Sequence, residues 1–254
     1  MSLAVYPAIK LGNNQEKIRR SISRLTTGLN ILAGATSGEL AQGISLQAEG
    51  KSNLKVVSTT QVGLDLLKTA ESALLELAAL ATRLREIGIA DTVSSNSASD
   101  TAALNAEAIA VSDSIDDIVS TAKFHDLVIL STSARTLAAV KDAEGNTTTI
   151  TTTAGITATN ITDATNSNTT ADTAIGEIET SLGHVAGHIN TLSAYQNTAN
   201  ALASIELESA AKLMDTNFAL ETAKLMKKTL IQKYATSMVA KANEIEENKK
   251  LLIL

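Results

Sequence analysis

LGNNQEKIRRSISRLTTGLNIL, residues 11–32, carries apolar side chains at Leu11, Ile18, Ile22, Leu25, Leu29 and Leu32, at steps of 7, 4, 3, 4 and 3. That spacing gathers them on one narrow side of an α-helix. Near the other end of the chain Met226, Leu230, Tyr234, Met238, Ala242 and Ile245 step by 4, 4, 4, 4 and 3. An isolated helix with such a row is marginal in water. Each row therefore needs a partner helix, from the other end of the chain or from another molecule. Between them, Asn146 to Thr173 is rich in Thr and nearly free of charge, so the layout predicts a rod with a polar tip.

Composition points the same way. Aromatic residues make up 2% of 254 and Trp is absent, so the expected core is Ala, Leu, Ile and Val packed helix against helix. Pro7 is the only proline, and it suits a first helical turn, where its missing N–H costs nothing. The absence of Cys excludes disulfides and thiolate chemistry. A net charge of −6 with no basic stripe argues against nucleic acid as a partner. No apolar run approaches the ~20 residues that span a bilayer, and Met1–Lys10 lacks the features of a cleaved secretory signal. The expectation is a chain that is cytosolic or exported by a route that reads no cleaved signal, with no membrane insertion.

Reading along the chain, a first helix runs from Pro7 to about Leu32. Gly34, Gly38 and Gly43 then suggest a bend or connector. A second helix carries Leu67, Ala70, Leu74, Leu77, Ala81 and Leu84, stopping in the polar cluster from Asp91 to Asp100. A third carries Leu104, Ala108, Val111, Ile115, Ile118 and Ala122, followed by an apolar, β-branched run from Phe124 to Leu130. Leu137–Lys141 and Thr147–Thr153, joined by a turn at Asp142–Asn146, predict a β-hairpin. Of the 27 residues from Thr147 to Thr173, 13 are Thr, a composition expected to lie on the surface and bury no core. Heptad spacing resumes at Ile175, Ile178, Leu182, Val185, Ile189 and Leu192, and helix continues from there. The fold class expected is mainly α: long antiparallel helices from both chain ends in a coiled-coil-like bundle, with a small β-hairpin tip.

No set of residues reads as a catalytic centre, a cofactor site or a metal site. His184 and His188 have metal-ligand spacing, but Val185 stands where a zinc-protease helix places Glu, so they read as flanks of the seam. Glu49-Gly50-Lys51-Ser52 resembles the end of a phosphate loop without its leading Gly or a preceding strand. Asp113, Asp116 and Asp117 read as a solvated helix face.

Two stretches carry a resemblance. Arg24-Leu25-Thr26-Thr27-Gly28-Leu29-Asn30-Ile31 resembles the N-terminal signature of bacterial flagellins, continued by Gln42, Ile44 and the helix from Leu67 to Ala90. Phe124-His125-Asp126-Leu127-Val128-Ile129-Leu130 resembles the Phe-Asn-Gly segment that closes the family's N-terminal region. Asp215-Thr216-Asn217-Phe218-Ala219-Leu220-Glu221-Thr222 and Thr236-Ser237-Met238-Val239-Ala240-Lys241-Ala242-Asn243 are similar to its C-terminal pattern. The chain departs from the family at Leu3-Ala4-Val5-Tyr6-Pro7, at Ser37-Gly38 where a paired Asp is usual, and at Glu246 where Pro is usual.

The resemblance implies a structural subunit that polymerises into the extracellular flagellar filament for swimming, exported by the type III flagellar apparatus. It also implies a division into five parts: 1–43, inner-tube helix and connector; 44–136, N-terminal part of the helical core; 137–173, short variable tip; 174–216, C-terminal part of the core; 217–254, C-terminal inner-tube helix. The implied partners are other copies of the chain, an export chaperone, and the hook-junction and cap proteins. Arg83, Arg85, Glu86 and Ile87, with Glu107, resemble the segment that engages the vertebrate Toll-like receptor for flagellin. Glu144-Gly145-Asn146-Thr147-Thr148 fits a bacterial N-glycosylation pattern, and the Thr side chains are candidate O-glycan acceptors, which singles out Asn146, Thr147 and Thr148. Two other readings stay open: a flagellin-like hook–filament junction protein and a cytosolic coiled-coil scaffold.

Overall fold

A computed structural model of the chain describes residues 5–30, 37–157 and 159–251. Five helices dominate: α1 (Val5–Thr27), α2 (Ser37–Asp91), α3 (Ala98–Thr121), α4 (Ser167–Met214) and α5 (Phe218–Leu251). Between α3 and α4 lie two antiparallel hairpins, β1 (Lys123–Phe124) with β2 (Leu127–Val128), and β3 (Arg135–Val140) with β4 (Thr147–Thr153). The chain divides into two compact units, one of Gly50–Ser204 and one built from the described parts of Met1–Glu49 and Ile205–Leu254.

The Gly50–Ser204 unit holds the hydrophobic core. Leu67, Ala70, Leu74, Leu77, Ala81 and Leu84 of α2 are fully buried, as the alternating steps of three and four require when one helix face meets neighbours. Ala108 and Ile115 of α3 and Ile178, Val185 and Leu192 of α4 join them. The turn between α2 and α3 is closed by side chains. The Asn96 Nδ2 donates to the Ala90 carbonyl at 2.9 Å, and Ser97 with Asp100 forms a capping box at the start of α3. The hydrogen bonds from Ser97 hold the Asp100 carboxyl below its ordinary range.

Two expectations are overturned in this unit. The Thr-rich tract is not a surface appendage: Ile150, Thr152, Thr153, Ile156, Thr159, Ala164, Ser167 and Ala171 are all buried. Every few residues it sets an apolar or hydroxyl side chain into the core, and polar groups of the neighbouring helices satisfy its backbone. Thr159 N–H donates to Asp116 at 2.9 Å, Ala164 N–H to Asn105 at 2.7 Å, and Thr157 N–H to Glu177 at 2.7 Å. Asp116 is therefore half-buried and engaged, not part of a solvated face. Such side-chain partners let an irregular segment be buried without orphaned N–H groups.

The β1–β2 hairpin turns through His125 and Asp126, at φ of 48° and 62°. Both central residues of this two-residue loop are left-handed, a conformation that Asn-Gly adopts more readily than His-Asp. The Phe-Asn-Gly segment that this stretch resembles places Gly where Asp126 stands. Asp126→Gly is expected to stabilise the Gly50–Ser204 unit by about 1 kcal/mol, read as a raised urea midpoint at unchanged slope. An unchanged or lowered midpoint would count against strain at this turn.

In the other unit, Gly43 is no breaker. It lies inside α2, where a Cβ would come 2.6 Å from Cγ of Met214, so its missing side chain lets Met214 of α4 approach the backbone. Gly38 falls in the first turn of α2, and Gly34 lies outside the described residues.

Candidate functional site: the paired terminal helices

Thr27 ends α1 because Gly28 takes φ of 73° and returns its N–H to the Arg24 carbonyl at 2.9 Å. The chain then meets the α4–α5 junction. Leu29 bridges Asp215 in antiparallel fashion, Thr216 N–H donates to the Gly28 carbonyl at 2.8 Å, and Asn30 N–H to Met214 at 2.6 Å. Asn217 caps α5, its Oδ1 accepting from Leu220 N–H at 3.0 Å. From this clasp α5 runs back antiparallel along α1.

The contact face of α1 is Leu11, Asn14, Ile18, Ser21 and Leu25; that of α5 is Glu221, Leu225, Lys228, Gln232, Ala235, Val239 and Ala242, the less exposed positions of each helix, apart from Ser23 and Arg24 of α1. Both alternate three and four, the spacing of a coiled-coil seam. Polar groups are central to it. The Ser21 hydroxyl donates to Glu221 Oε1 at 2.6 Å, Lys228 Nζ donates to Ser21 Oγ at 2.6 Å, and Asn14 Nδ2 donates to the Lys228 carbonyl at 2.8 Å. Arg24, Lys224 and Lys228 place nitrogens 3.8, 3.7 and 3.9 Å from the Glu221 carboxylate, whose side chain is 4% exposed. Burial raises the Glu221 carboxyl, but Ser21 and these cations outweigh it and hold it below its usual range. Lys228 also falls below its ordinary value, because burial and the neighbouring Arg24, Lys224 and Lys17 outweigh the attraction of Glu221. Three cations thus share one carboxylate. Among the described residues of this unit the only buried hydrophobic residue is Ala210.

The two apolar rows read from the sequence are placed differently by this pairing. Leu11, Ile18 and Leu25 face α5, whereas Ile22 and Leu29 are exposed and Leu32 lies outside the described residues. On α5 the row is turned away from α1: Met226, Leu230, Tyr234 and Met238 are 67, 56, 68 and 70% exposed, and Ile245 is exposed too. The reason is geometric. Steps of four advance about 40° beyond a full turn each, so the row winds round the helix and only Ala242, half-buried, reaches the inner face. The Ser21–Glu221–Lys228 cluster was missed because it sits at polar positions between apolar ones, although its spacing could have revealed it.

The other singled-out residues lie apart from this pair. Arg83 pairs with Glu86 at 2.9 Å and with Glu107 at 2.6 Å, and Arg85 pairs with Asp172 at 3.1 Å, all partly exposed. Ile87 corrects the expectation for this segment: at 1% exposure it is a core residue with no apolar surface to offer a receptor. Asn146, in the turn before β4, and Thr147, at the start of β4, are exposed, and Thr148 is half-buried. The Asn146 Nδ2, where an N-glycan would attach, donates to Asp142 at 2.8 Å. His184 and His188 stack along α4 with ring centroids 6.4 Å apart. Among the described residues no group of three or more His, Asp or Glu is spaced to hold a metal ion.

The family model for the bacterial flagellin N-terminal helical region matches residues 8–135. A flagellin of Halalkalibacterium halodurans is 27% identical over 248 residues, covering 92% of this chain and 91% of its own. A flagellin of Clostridium tyrobutyricum is 27% identical over 134 residues, which are 52% of this chain and 36% of that protein. The crystal structure of Bacillus cereus flagellin aligns at 23% identity with a TM-score of 0.39, covering 57% of this chain and 86% of that one. With the model for the N-terminal helical region of bacterial flagellins matched over half of its 254 residues, the chain belongs to the bacterial flagellin family.

Proposed function

We infer that the chain is a structural subunit that polymerises with copies of itself into the extracellular flagellar filament, and that the outward row of α5 is buried in the process. The observation that supports this is the exposure of Met226, Leu230, Tyr234 and Met238 in a unit that buries no large apolar side chain among its described residues. Covering such a row removes apolar area from water at about 25 cal/mol per Å². Other copies, which present the same row, are the partners a homopolymer supplies. The helices also carry like charge: α1 has five Lys and Arg against one Glu, and α5 has seven Lys against four Glu. Added salt screens that repulsion and strengthens apolar burial. Export through the flagellar apparatus with a chaperone, and contact with hook-junction and cap proteins, complete the reading.

Folding of the terminal helices is then coupled to assembly. A helix pair without an apolar core is marginal, because nucleation is unfavourable and burial normally supplies most helical stability. Brief trypsin treatment of monomer should cut at the exposed Arg19, Arg20, Lys227 and Lys241 and leave a fragment close to Gly50–Ser204. After raised salt has driven the chain into pelletable filaments, the same four positions should resist. Equal cutting at these positions in monomer and pellet would overturn coupled folding. A chain that stays a small oligomer at every salt concentration would overturn polymerisation itself.

A further inference from the structure

The α5 helix has two faces, and the one turned toward α1 is the less hydrophobic. Facing inward are Glu221, Leu225, Lys228, Gln232, Ala235 and Val239; Met226, Leu230, Tyr234 and Met238 lie on the far side. Apolar burial alone would favour the opposite arrangement. Rotating α5 by about half a turn would bring Met226 and Leu230 level with Ile18 and Leu11 of α1. The clasp does not forbid this, since its hydrogen bonds join backbone at Gly28–Asn30 and Met214–Thr216, outside both helices.

We propose that Glu221 is the residue that fixes which face of α5 meets α1, and so keeps the apolar row outward, open to the next copy. Its carboxylate is the acceptor for Ser21 and the sole anion within reach of Arg24, Lys224 and Lys228 among the described residues. Rotation would carry Glu221 away from Ser21 and Arg24 of α1 and break both of these contacts at once, while Lys224 and Lys228, on the same helix, would turn with it. It would also release Lys228 from Ser21 and Asn14 from the Lys228 carbonyl. Loss of one partner of a buried charged group is costly, and a polar group in an otherwise apolar seam is a known means of selecting one helix arrangement at the expense of stability. Removing the carboxylate reverses the preference, because Arg24, Lys224 and Lys228 then face one another without an anion. That the outward row serves assembly rests on the filament reading; the facing of α5 does not.

The chain has no cysteine, so introduced pairs report contacts without background. Because Ser21 meets Glu221 and Lys228 while Asn14 meets the Lys228 carbonyl, Ile18 lies across from Leu225. Ile18→Cys with Leu225→Cys therefore reports the observed face, and Ile18→Cys with Met226→Cys the rotated one. A disulfide traps the helices whenever they close, so the ratio of intramolecular yields in dilute full-length chain reads facing even if the ends open and close. With Glu221 present, the 18/225 pair should dominate. In Glu221→Ala the 18/226 pair should rise to dominate, and Glu221→Asp, which keeps a carboxylate, should return the yield to 18/225. Persistence of 18/225 in Glu221→Ala, loss of both pairs, or Glu221→Asp behaving as Ala would each overturn the proposal. Polymerisation is read separately by pelleting, so a failure of the filament reading leaves this measurement intact.

Discussion

Leu230→Glu is expected to abolish filaments while leaving the monomer folded and soluble. Leu230 is 56% exposed and faces away from α1, so a carboxylate there is solvated in the monomer and disturbs no contact. In a polymer that covers the α5 row, the same carboxylate must be desolvated without a partner, at a cost of several kcal/mol per copy. At about 1.4 kcal/mol per factor of ten, this raises the concentration needed for assembly by roughly a thousandfold or more, beyond any practical range. Far-UV circular dichroism and urea unfolding of the monomer should match the parent chain, while no pellet forms at raised salt. Normal filaments from the variant would remove the α5 row from the subunit interface.

That prediction depends on which side of α5 is outward, and hydrophobic spacing alone could not supply it. The row at Met226, Leu230, Tyr234 and Met238 is visible in the sequence because its members are large and apolar. The seam that meets α1 is hidden by Glu221, Lys228 and Gln232, which a reading of apolar periodicity passes over. The Gly50–Ser204 unit was far more legible. Leu67 to Leu84, Ala108 with Ile115, and Ile178, Val185 and Leu192 are buried where their spacing placed them, since one dry core rewards the same residue types that periodicity detects. Ile87 fell outside that logic because it was read through a resemblance and not through its place three residues beyond Leu84 on the same buried face. Gly43 misled for a related reason: a glycine that permits close approach and one that breaks a helix look alike until Met214 is seen beside it. The Thr-rich tract misled most. Composition measures average polarity, whereas burial there is decided by single residues such as Ile156 and by distant partners such as Asp116 and Glu177.

Deleting residues 142–172 and joining the ends with a short Gly linker is consequently expected to unfold the Gly50–Ser204 unit and not merely trim it. The deletion removes Ile150, Ile156, Ala164 and Ala171 from the core and strips β3 of its only strand partner among the described residues. It also leaves Ser112, Asn105 and Asp116 of α3 without the backbone groups they now receive from Ile161, Ala164 and Thr159. A single large-to-small change inside the segment tests the same point more gently. Ile156→Ala at a fully buried position should cost about 2–5 kcal/mol, whereas Thr147→Ala and Thr149→Ala, exposed on β4, should each fall within roughly 0.5 kcal/mol of the parent. Urea midpoints of the three variants give the comparison, and near-ultraviolet dichroism or proteolysis follows the deletion. A deletion variant that keeps the parent midpoint and cooperativity, or an Ile156→Ala no more costly than the surface changes, would return the tract to the role of a dispensable surface loop.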